Sequence, residues 1–105
     1  MAPRPQPSSF VTGAASGIGL ALARALAARG HSVTLADRDA AALTRATEAL
    51  CRDGVDAHAE VLDVTDRDAV RLAIERCAAR HGHLDFVFNN AGIGIGGELR
   101  DMQPD

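Results

Sequence analysis

One short run near the amino end combines small and polar residues at a spacing that suits the binding of an anion. It reads Thr-Gly-Ala-Ala-Ser-Gly-Ile-Gly and occupies residues 12–19. Gly13 allows a sharp turn where a Cβ would clash, and Gly17 keeps the backbone open to the close approach of a ligand. Gly19 allows tight packing of the segment that follows, and Ser16 can cap a helix or bind a phosphate oxygen.

The elements on either side of this run suggest which anion it would bind. A short apolar strand, Ser8–Thr12, precedes the run, and a helix rich in alanine and leucine follows over residues 20–29. The N-terminus of a helix presents unpaired N–H groups and about half a positive charge, and both favour a pyrophosphate. A tight turn that binds nothing is the alternative for the run taken alone, because short glycine motifs also occur by chance.

The second predicted strand, Ser32–Asp37, ends in a carboxylate that can serve the same site. Asp37 can accept hydrogen bonds from ribose hydroxyls and would repel a 2′-phosphate. The neighbouring Arg38 could instead pair with that phosphate, whereas the residue before the middle glycine, Ser16, is not basic. The balance favours NAD over NADP, and a solvated loop acid is the alternative interpretation of Asp37.

Apolar and amphipathic stretches alternate along the chain in the order β-α-β-α-β-α-β. This alternation predicts an α/β fold, a Rossmann-like doubly wound parallel sheet with helices on both faces. Right-handed crossovers give the strand order 3-2-1-4, so a ligand crevice should open between strands one and four. The predicted strands are 8–12, 32–37, 58–64 and 84–89. The helices between them are predicted to end at Gly30, Gly54 and Gly82. Asp39 and Asp66 are the predicted N-caps of the second and third helices.

Polar residues and glycines also follow the third and fourth predicted strands. Asp63 and Val64 end the third strand, where a side chain can meet the edge of an adenine. Asn90 follows the fourth strand, where its amide can tie neighbouring backbones together, and Gly92 lets a ligand pass close to the chain. Because the carboxyl ends of parallel strands meet at one edge of the sheet, all these residues should face one crevice.

Composition excludes several classes of function. The 105 residues suffice for one small domain, and a net charge of −3 leaves no basic footprint for nucleic acid. No stretch approaches the ~20 apolar residues of a membrane span. The proline-rich residues 1–7 lack an apolar signal-peptide core, so we expect a flexible arm there, followed by one domain over residues 8–105.

The cysteines and histidines give no indication of a metal site. Cys51 and Cys77 are expected to be buried or half-buried free thiols, which is typical of a cytoplasmic protein. The four histidines do not show the spacing of zinc ligands. The run at residues 81–83, His-Gly-His, is interpreted as the end of a helix, and the sequence predicts no metal ligand.

The sequence resembles the amino-terminal part of the short-chain dehydrogenase/reductase family over nearly all residues beyond the first seven. That family's glycine motif, Thr-Gly-x-x-x-Gly-Ile-Gly, stands at residues 12–19, its Asp-Val pair at 63–64 and its Asn-Asn-Ala-Gly motif at 89–92. The resemblance implies a nicotinamide dinucleotide, NAD in preference to NADP. Motifs and strand ends together predict these cofactor contacts: Gly13, Ser16, Gly17, Ile18, Gly19, Asp37, Arg38, Asp63, Val64, Asn90 and Gly92.

The resemblance also implies an oxidoreductase that moves a hydride between the nicotinamide and a small alcohol or ketone, and that is homo-oligomeric at full length. Family members use a serine, a tyrosine as general acid/base and a lysine one helical turn after the tyrosine, all beyond the fourth strand. The printed chain contains no tyrosine and no lysine, so we assign no catalytic residue in it. We expect the 105 residues to bind the dinucleotide without turnover.

Two other functions remain open at this stage, a non-catalytic sensor that binds the dinucleotide and an interaction module that binds no cofactor. The tail, residues 97–105, reads as a loop approaching another helix, because Pro104 suits a helix entry. This favours part of a longer oxidoreductase, truncated before its catalytic segment. The fourth strand would then lie at an open sheet edge with Phe86, Val87 and Phe88 unpartnered.

Overall fold

The computed structural model describes residues 6–90. Within that range the chain forms β1 (Ser8–Thr12), α1 (Gly17–Ala28), β2 (Ser32–Asp37), α2 (Ala40–Arg52), β3 (Ala57–Val61), α3 (Arg67–His81) and β4 (Phe86–Asn89). Gly92, the tail at residues 97–105 and the first five residues of the predicted arm lie outside the described residues.

The four strands form one parallel sheet in the order β3-β2-β1-β4. Val11 of the central strand β1 lies opposite Leu35 of β2 and Phe88 of β4. Every residue of β1 is buried, as expected of a parallel strand that is covered on both faces. The predicted fold class and strand order are therefore confirmed, and the chain changes its direction of travel across the sheet between β1 and β4.

Apolar side chains fill both faces of the sheet. Successive residues of a strand point to opposite faces, so Phe10 and Val11 belong to different clusters. Val11 packs with Leu43 of α2 and other residues of α1 and α2, whereas Phe10 packs with Ala73 and Cys77 of α3. Phe10 is fully buried, which contributes about 2 kcal/mol relative to an exposed side chain.

The second and third helices begin as the sequence predicts. Asp39 and Asp66 occupy the N-cap positions, and their side chains accept hydrogen bonds at 3.1 Å from the backbone N–H groups of Ala42 and Ala69. Each bond satisfies one of the N–H groups that a helix start leaves unpaired, and is worth about 1 kcal/mol.

The first helix and the third strand differ from their predicted bounds. The helix α1 starts at Gly17, three residues before the predicted residue 20, since the Ser16 carbonyl already accepts the N–H of Leu20 at 3.2 Å. The strand β3 covers Ala57–Val61, although 58–64 was predicted. Beyond it the Asp63 carbonyl accepts the N–H of Asp66 at 3.0 Å, and this turn ends the strand.

The strand β4 also begins later than predicted, at Phe86 rather than at residue 84. Asp85 is bonded twice to Ser8 at this point. Its N–H donates to the Ser8 carbonyl at 2.9 Å, and its carboxylate accepts the Ser8 N–H at 2.8 Å. The carboxylate thus takes the place of a backbone acceptor where a strand pairing would otherwise begin.

The two cysteines occupy different environments. Cys77 is fully buried, as predicted, with its Sγ 3.3 Å from Thr34 Oγ1. Cys51 is exposed near the end of α2, so the prediction that it is buried or half-buried is wrong. Its Sγ contacts the Ala57 carbonyl at 3.4 Å, because the short connection from α2 brings the chain back beside the end of the helix.

Two residues of the predicted arm are in contact with the domain. The Pro7 carbonyl accepts the N–H of Ser32 at 2.8 Å, and the Gln6 carbonyl lies 2.9 Å from His83 Nε2. Among the described helices, none is long and apolar enough to cross a membrane.

Candidate cofactor site

A cleft of about 510 Å³ opens at the carboxyl ends of the strands. It brings together residues from the ends of all four strands, which are far apart in sequence. The lining residues are Gly13, Ser16, Asp37, Arg38, Leu62, Asp63, Val64, Thr65 and Asn90. Seven of these nine are predicted cofactor contacts, and their convergence is what the parallel topology requires of residues at strand ends.

The turn after β1 packs closely against the first turn of α1. A Cβ at Gly19 would overlap the carbonyl oxygen of Gly13 and would stand 2.7 Å from Asn90 Nδ2. Gly13 itself has a positive φ of 63°, a conformation that L side chains rarely adopt. The predicted reasons for glycine at these two positions therefore agree with the geometry.

The start of α1 is open to a ligand. Gly17 has a φ of 58°, and a Cβ added there would have no neighbouring atom within 4 Å. Ser16 occupies the N-cap position, and its side chain makes no capping hydrogen bond to α1. Ile18 is 75% exposed and, like Gly17 and Gly19, lies beside the cleft without lining it.

Asp37 connects the end of β2 to the glycine turn. Its Oδ2 accepts the Ala15 N–H at 3.0 Å, and its Oδ1 accepts the Asp39 N–H at 3.0 Å. Two backbone donors therefore fix the carboxylate, and each oxygen keeps a further lone pair for a hydroxyl group. This arrangement suits a group that receives a ribose at the rim of the cleft.

Asp63 and Thr65 form a small turn on the opposite wall. Asp63 Oδ1 accepts the Thr65 N–H at 2.8 Å and the Thr65 hydroxyl at 2.7 Å. These bonds, with a smaller contribution from the charge of Arg38, hold the pKa of Asp63 below its ordinary value. Arg38 and Asp63 both line the cleft, and the charge of Arg38 reaches the Asp63 carboxylate.

Leu62 and Thr65 are the lining residues that sequence reasoning missed. The predicted strand over residues 58–64 placed Leu62 inside the sheet. In the structure β3 ends at Val61, so Leu62 follows the strand and lines the cleft. An Asp-x-Thr pattern after a strand indicates an Asx turn and could have identified Thr65.

The last strand is joined to the first by two asparagines. Thr12 Oγ1 donates to Asn89 Oδ1 at 3.0 Å, and Asn90 Nδ2 donates to the Gly13 carbonyl at 3.4 Å. Both bonds join β4 to the end of β1, as the sequence predicts for asparagine at a strand end. Gly92, the remaining predicted contact, is outside residues 6–90.

Comparisons with known proteins agree with this geometry. The sequence profile described as short chain dehydrogenase matches residues 8–105. The 1-deoxy-11-beta-hydroxypentalenate dehydrogenase of Streptomyces avermitilis is 45% identical over 89 residues, which cover 84% of this chain and 33% of that protein. The chain spans about a third of the length of this and other curated relatives, and 15% of the probable oxidoreductase EphD of Mycobacterium tuberculosis.

Solved structures with the same architecture have been obtained with either nicotinamide dinucleotide. A short chain dehydrogenase/reductase from Burkholderia phymatum, in complex with NAD, has a TM-score of 0.81 at 33% identity, over 93% of this chain and 35% of that one. A variant of actinorhodin polyketide ketoreductase with NADPH has a TM-score of 0.80 at 32% identity, over 98% and 40%. With its profile match over residues 8–105, its strand order and its glycine turn, the chain belongs to the short chain dehydrogenase family.

Proposed function

We propose that this chain holds NAD for an oxidoreductase that transfers a hydride between the nicotinamide and a small alcohol or ketone. The observation that carries the proposal is the convergence of Ser16, Asp37, Asp63 and Asn90 on one cleft beside the open start of α1. The bound dinucleotide would supply the hydride acceptor or donor, and the chain would supply its binding and orientation.

The residues present fit a dinucleotide in its expected position. The first-turn N–H groups of α1 and the Ser16 hydroxyl, which makes no capping hydrogen bond to the helix, suit the pyrophosphate. The space around Gly17 lets the phosphates approach the backbone. The adenosine ribose would meet Asp37, and the adenine would lie between Arg38 and the wall that includes Val64.

The preference for NAD is supported by the position of Asp37. A 2′-phosphate at the ribose would bring a second negative group against a carboxylate that two backbone bonds hold in place. Arg38 is the opposing influence, because a guanidinium can pair with a phosphate. Asp63, whose pKa the charge of Arg38 helps to lower, adds a second carboxylate to the same cleft.

The test is a titration of the full chain with NADH and with NADPH, in which the fluorescence of each cofactor reports its binding. The chain has no tryptophan and no tyrosine, so protein emission does not interfere. We expect NADH to bind about tenfold more tightly than NADPH, a difference of about 1.4 kcal/mol. Gly17→Val should abolish the binding of both, because its side chain would enter the space that the phosphates need.

Two substitutions that each remove one negative charge show whether the cofactor preference depends on Asp37 itself or on the net charge of the chain. Asp37→Asn should remove most of the preference for NADH, whereas Asp68→Asn, at an exposed position on α3, should leave it unchanged. Arg38→Gln should lower NADPH affinity further if the guanidinium pairs with the 2′-phosphate. Equal affinities in the unmodified chain would contradict the NAD assignment, and binding of neither cofactor would contradict the proposed function.

A non-catalytic dinucleotide-binding module is the alternative, and the 105 residues contain no tyrosine and no lysine. Nothing in the 105 residues can act as the tyrosine–lysine pair of the family. We propose that the chain alone binds the dinucleotide without turnover. Steady-state oxidation of NADH by the 105 residues with any ketone would contradict this.

A further inference from the structure

The amino ends of the strands carry a second group of polar side chains, at the edge of the sheet opposite the cofactor cleft. Asp56 and His58 stand on either side of the first residue of β3, and His81 is the last residue of α3. Residues two apart on a strand share a face, so Asp56 and His58 lie on the same face of the sheet. The helix α3 covers that face and brings His81 over the start of β3.

The three side chains are close enough to share one ion. One ligand atom from each lies within 4.8 Å of the others. Asp56 Oδ1 is 2.8 Å from His58 Nε2, and Asp56 Oδ2 is 3.8 Å from His81 Nδ1. The two imidazole centroids are 5.5 Å apart, and the rings are inclined at 64°. Each oxygen of the carboxylate therefore faces one ring.

This geometry resembles three corners of a tetrahedral metal site. Zn²⁺ holds nitrogen and oxygen ligands at about 2.0–2.2 Å, which places neighbouring ligand atoms about 3.3–3.6 Å apart. One ligand atom from each residue already lies within 4.8 Å of the other two, so rotations of the exposed Asp56 and the half-buried His58 would bring the three atoms to that spacing. Imidazole and carboxylate are ligands that zinc and similar divalent ions accept.

The ring of His81 has a partner for its other nitrogen. Ser32 Oγ lies 2.9 Å from His81 Nε2 and can accept its N–H, which leaves Nδ1 with its lone pair toward Asp56. A hydrogen bond of this kind fixes the tautomer and the orientation of histidines that bind metal ions. His81 also ends α3, where the negative end of the helix dipole favours a cation.

The charges around the cluster allow a bound cation. Arg80 is adjacent in sequence, but its guanidinium is directed to Thr34 Oγ1 at 3.1 Å. His83 is engaged elsewhere, with Nε2 2.9 Å from the Gln6 carbonyl and 3.2 Å from Asp85. Burial, with smaller contributions from the charges of Arg80, His58 and His83, lowers the pKa of His81 against the opposing charge of Asp56.

We propose that Asp56, His58 and His81 form a binding site for a divalent transition-metal ion of the Zn²⁺ type. The ion would have three protein ligands and one water-accessible position. It would link the loop before β3 to the end of α3, at the edge of the sheet away from the dinucleotide. The site does not depend on the proposed cofactor function.

The test is calorimetric titration of the full, chelator-treated chain with ZnCl₂. We expect one equivalent to bind, and we expect Asp56→Asn and His81→Gln each to weaken binding at least tenfold. His83→Gln is the matched control, since it removes a nearby imidazole that is not a ligand, and it should bind as the unmodified chain does. Circular dichroism melts of each variant show whether the fold is kept.

The exposed Cys51 is the competing ligand that must be tested. Its Sγ is 3.4 Å from the carbonyl of Ala57, the residue between Asp56 and His58. Cys51→Ser should leave zinc affinity unchanged, and the Co²⁺ complex should show d–d bands without a thiolate charge-transfer band. Loss of binding in Cys51→Ser, retention of binding in His81→Gln, or no binding of one equivalent to the unmodified chain would each overturn the proposal.

Discussion

The side-chain amide of Asn90 donates to the carbonyl oxygen of Gly13 at 3.4 Å. This bond joins the end of β4 to the turn that follows β1. Gly19, in the first turn of α1, lies against both groups and has no room for a Cβ. The turn after β1 and the first turn of α1 therefore meet the distant end of β4 at one point beside the cleft.

We predict that alanine at Gly19 and alanine at Gly17 have different effects. Gly19→Ala should destabilise the fold by about 3 kcal/mol, because the new methyl group forces apart the Gly13 carbonyl and the Asn90 amide. Gly17→Ala should cost about 1 kcal/mol, because it meets no atom and pays only for a positive φ. Thermal melting gives the two values.

A second measurement distinguishes the steric clash expected in Gly19→Ala from the backbone strain expected in Gly17→Ala. In amide NMR spectra, Gly19→Ala should shift the resonances of Gly13 and of the Asn90 side chain, whereas Gly17→Ala should leave the Asn90 side chain in place. Equal stability of the two variants, with an unmoved Asn90 amide, would contradict the close packing at Gly19.

The order of the strands and helices and most of the residues that line the cleft could be predicted from local sequence patterns. Right-handed crossovers between parallel strands bring the carboxyl ends of those strands together at one side of the sheet. The exact end of β3 did not, since it depends on the turn between Asp63 and Thr65. The Asp56, His58 and His81 cluster was also missed. These residues meet only because α3 runs back along the sheet, and no short-range spacing encodes that.

Two threonines provide a matched test of buried hydroxyl groups. Thr47 Oγ1 on α2 is buried and has no hydrogen-bond partner within residues 6–90. Thr47→Val keeps the shape of the side chain and removes a desolvated polar atom, so we expect it to raise the free energy of unfolding by about 1 kcal/mol. Chemical denaturation measures the change.

Thr34→Val is the control. The Thr34 hydroxyl contacts Cys77 Sγ at 3.3 Å and accepts a hydrogen bond from Arg80 at 3.1 Å. Removing it should lower stability by about 1 kcal/mol, because a made bond is lost. The same sign of change in both variants would show that hydrogen bonding does not distinguish the two sites.

Asp63 should titrate at an unusually low pH. Hydrogen bonds from the Thr65 backbone and hydroxyl hold its pKa below the ordinary 3.8. A carboxyl group with a lowered pKa in the folded state stabilises the fold above its unfolded pKa, and the stabilisation is lost as the pH falls through the folded pKa. Carboxyl carbon NMR should therefore show Asp63 titrating below pH 3.8.

Substitutions distinguish the causes of that shift. Thr65→Val removes the hydroxyl donor but keeps the backbone N–H, so it should raise the pKa of Asp63 part of the way to its ordinary value. Arg38→Gln should raise it less, since the charge of Arg38 is the weakest of the contributions. A larger effect from Arg38→Gln would mean that charge, rather than hydrogen bonding, sets the pKa.

Among the described strands β4 lies at one edge of the sheet, and we expect this edge to make the chain self-associate. Within residues 6–90 this strand pairs only with β1, and its Phe86 and Val87 are 48% and 49% exposed. An edge strand with apolar side chains offers unpaired N–H and C=O groups to a second copy. Sedimentation velocity should show oligomers whose proportion rises with concentration, and Val87→Lys should shift the chain toward monomer because a charge would be buried in the contact.

The opposite edge of the sheet supplies the control for this prediction. Val61 ends β3 and is 58% exposed, yet it lies away from the aromatic side chains of β4. Val61→Lys should leave the association unchanged. A monomeric unmodified chain with a single cooperative melt would contradict the prediction, and dissociation by Val61→Lys alone would move the contact to β3. The expected asymmetry follows from aromatic content, because the stacked rings of Phe86 and Phe88, 6.1 Å apart, give the β4 edge the larger apolar area to bury.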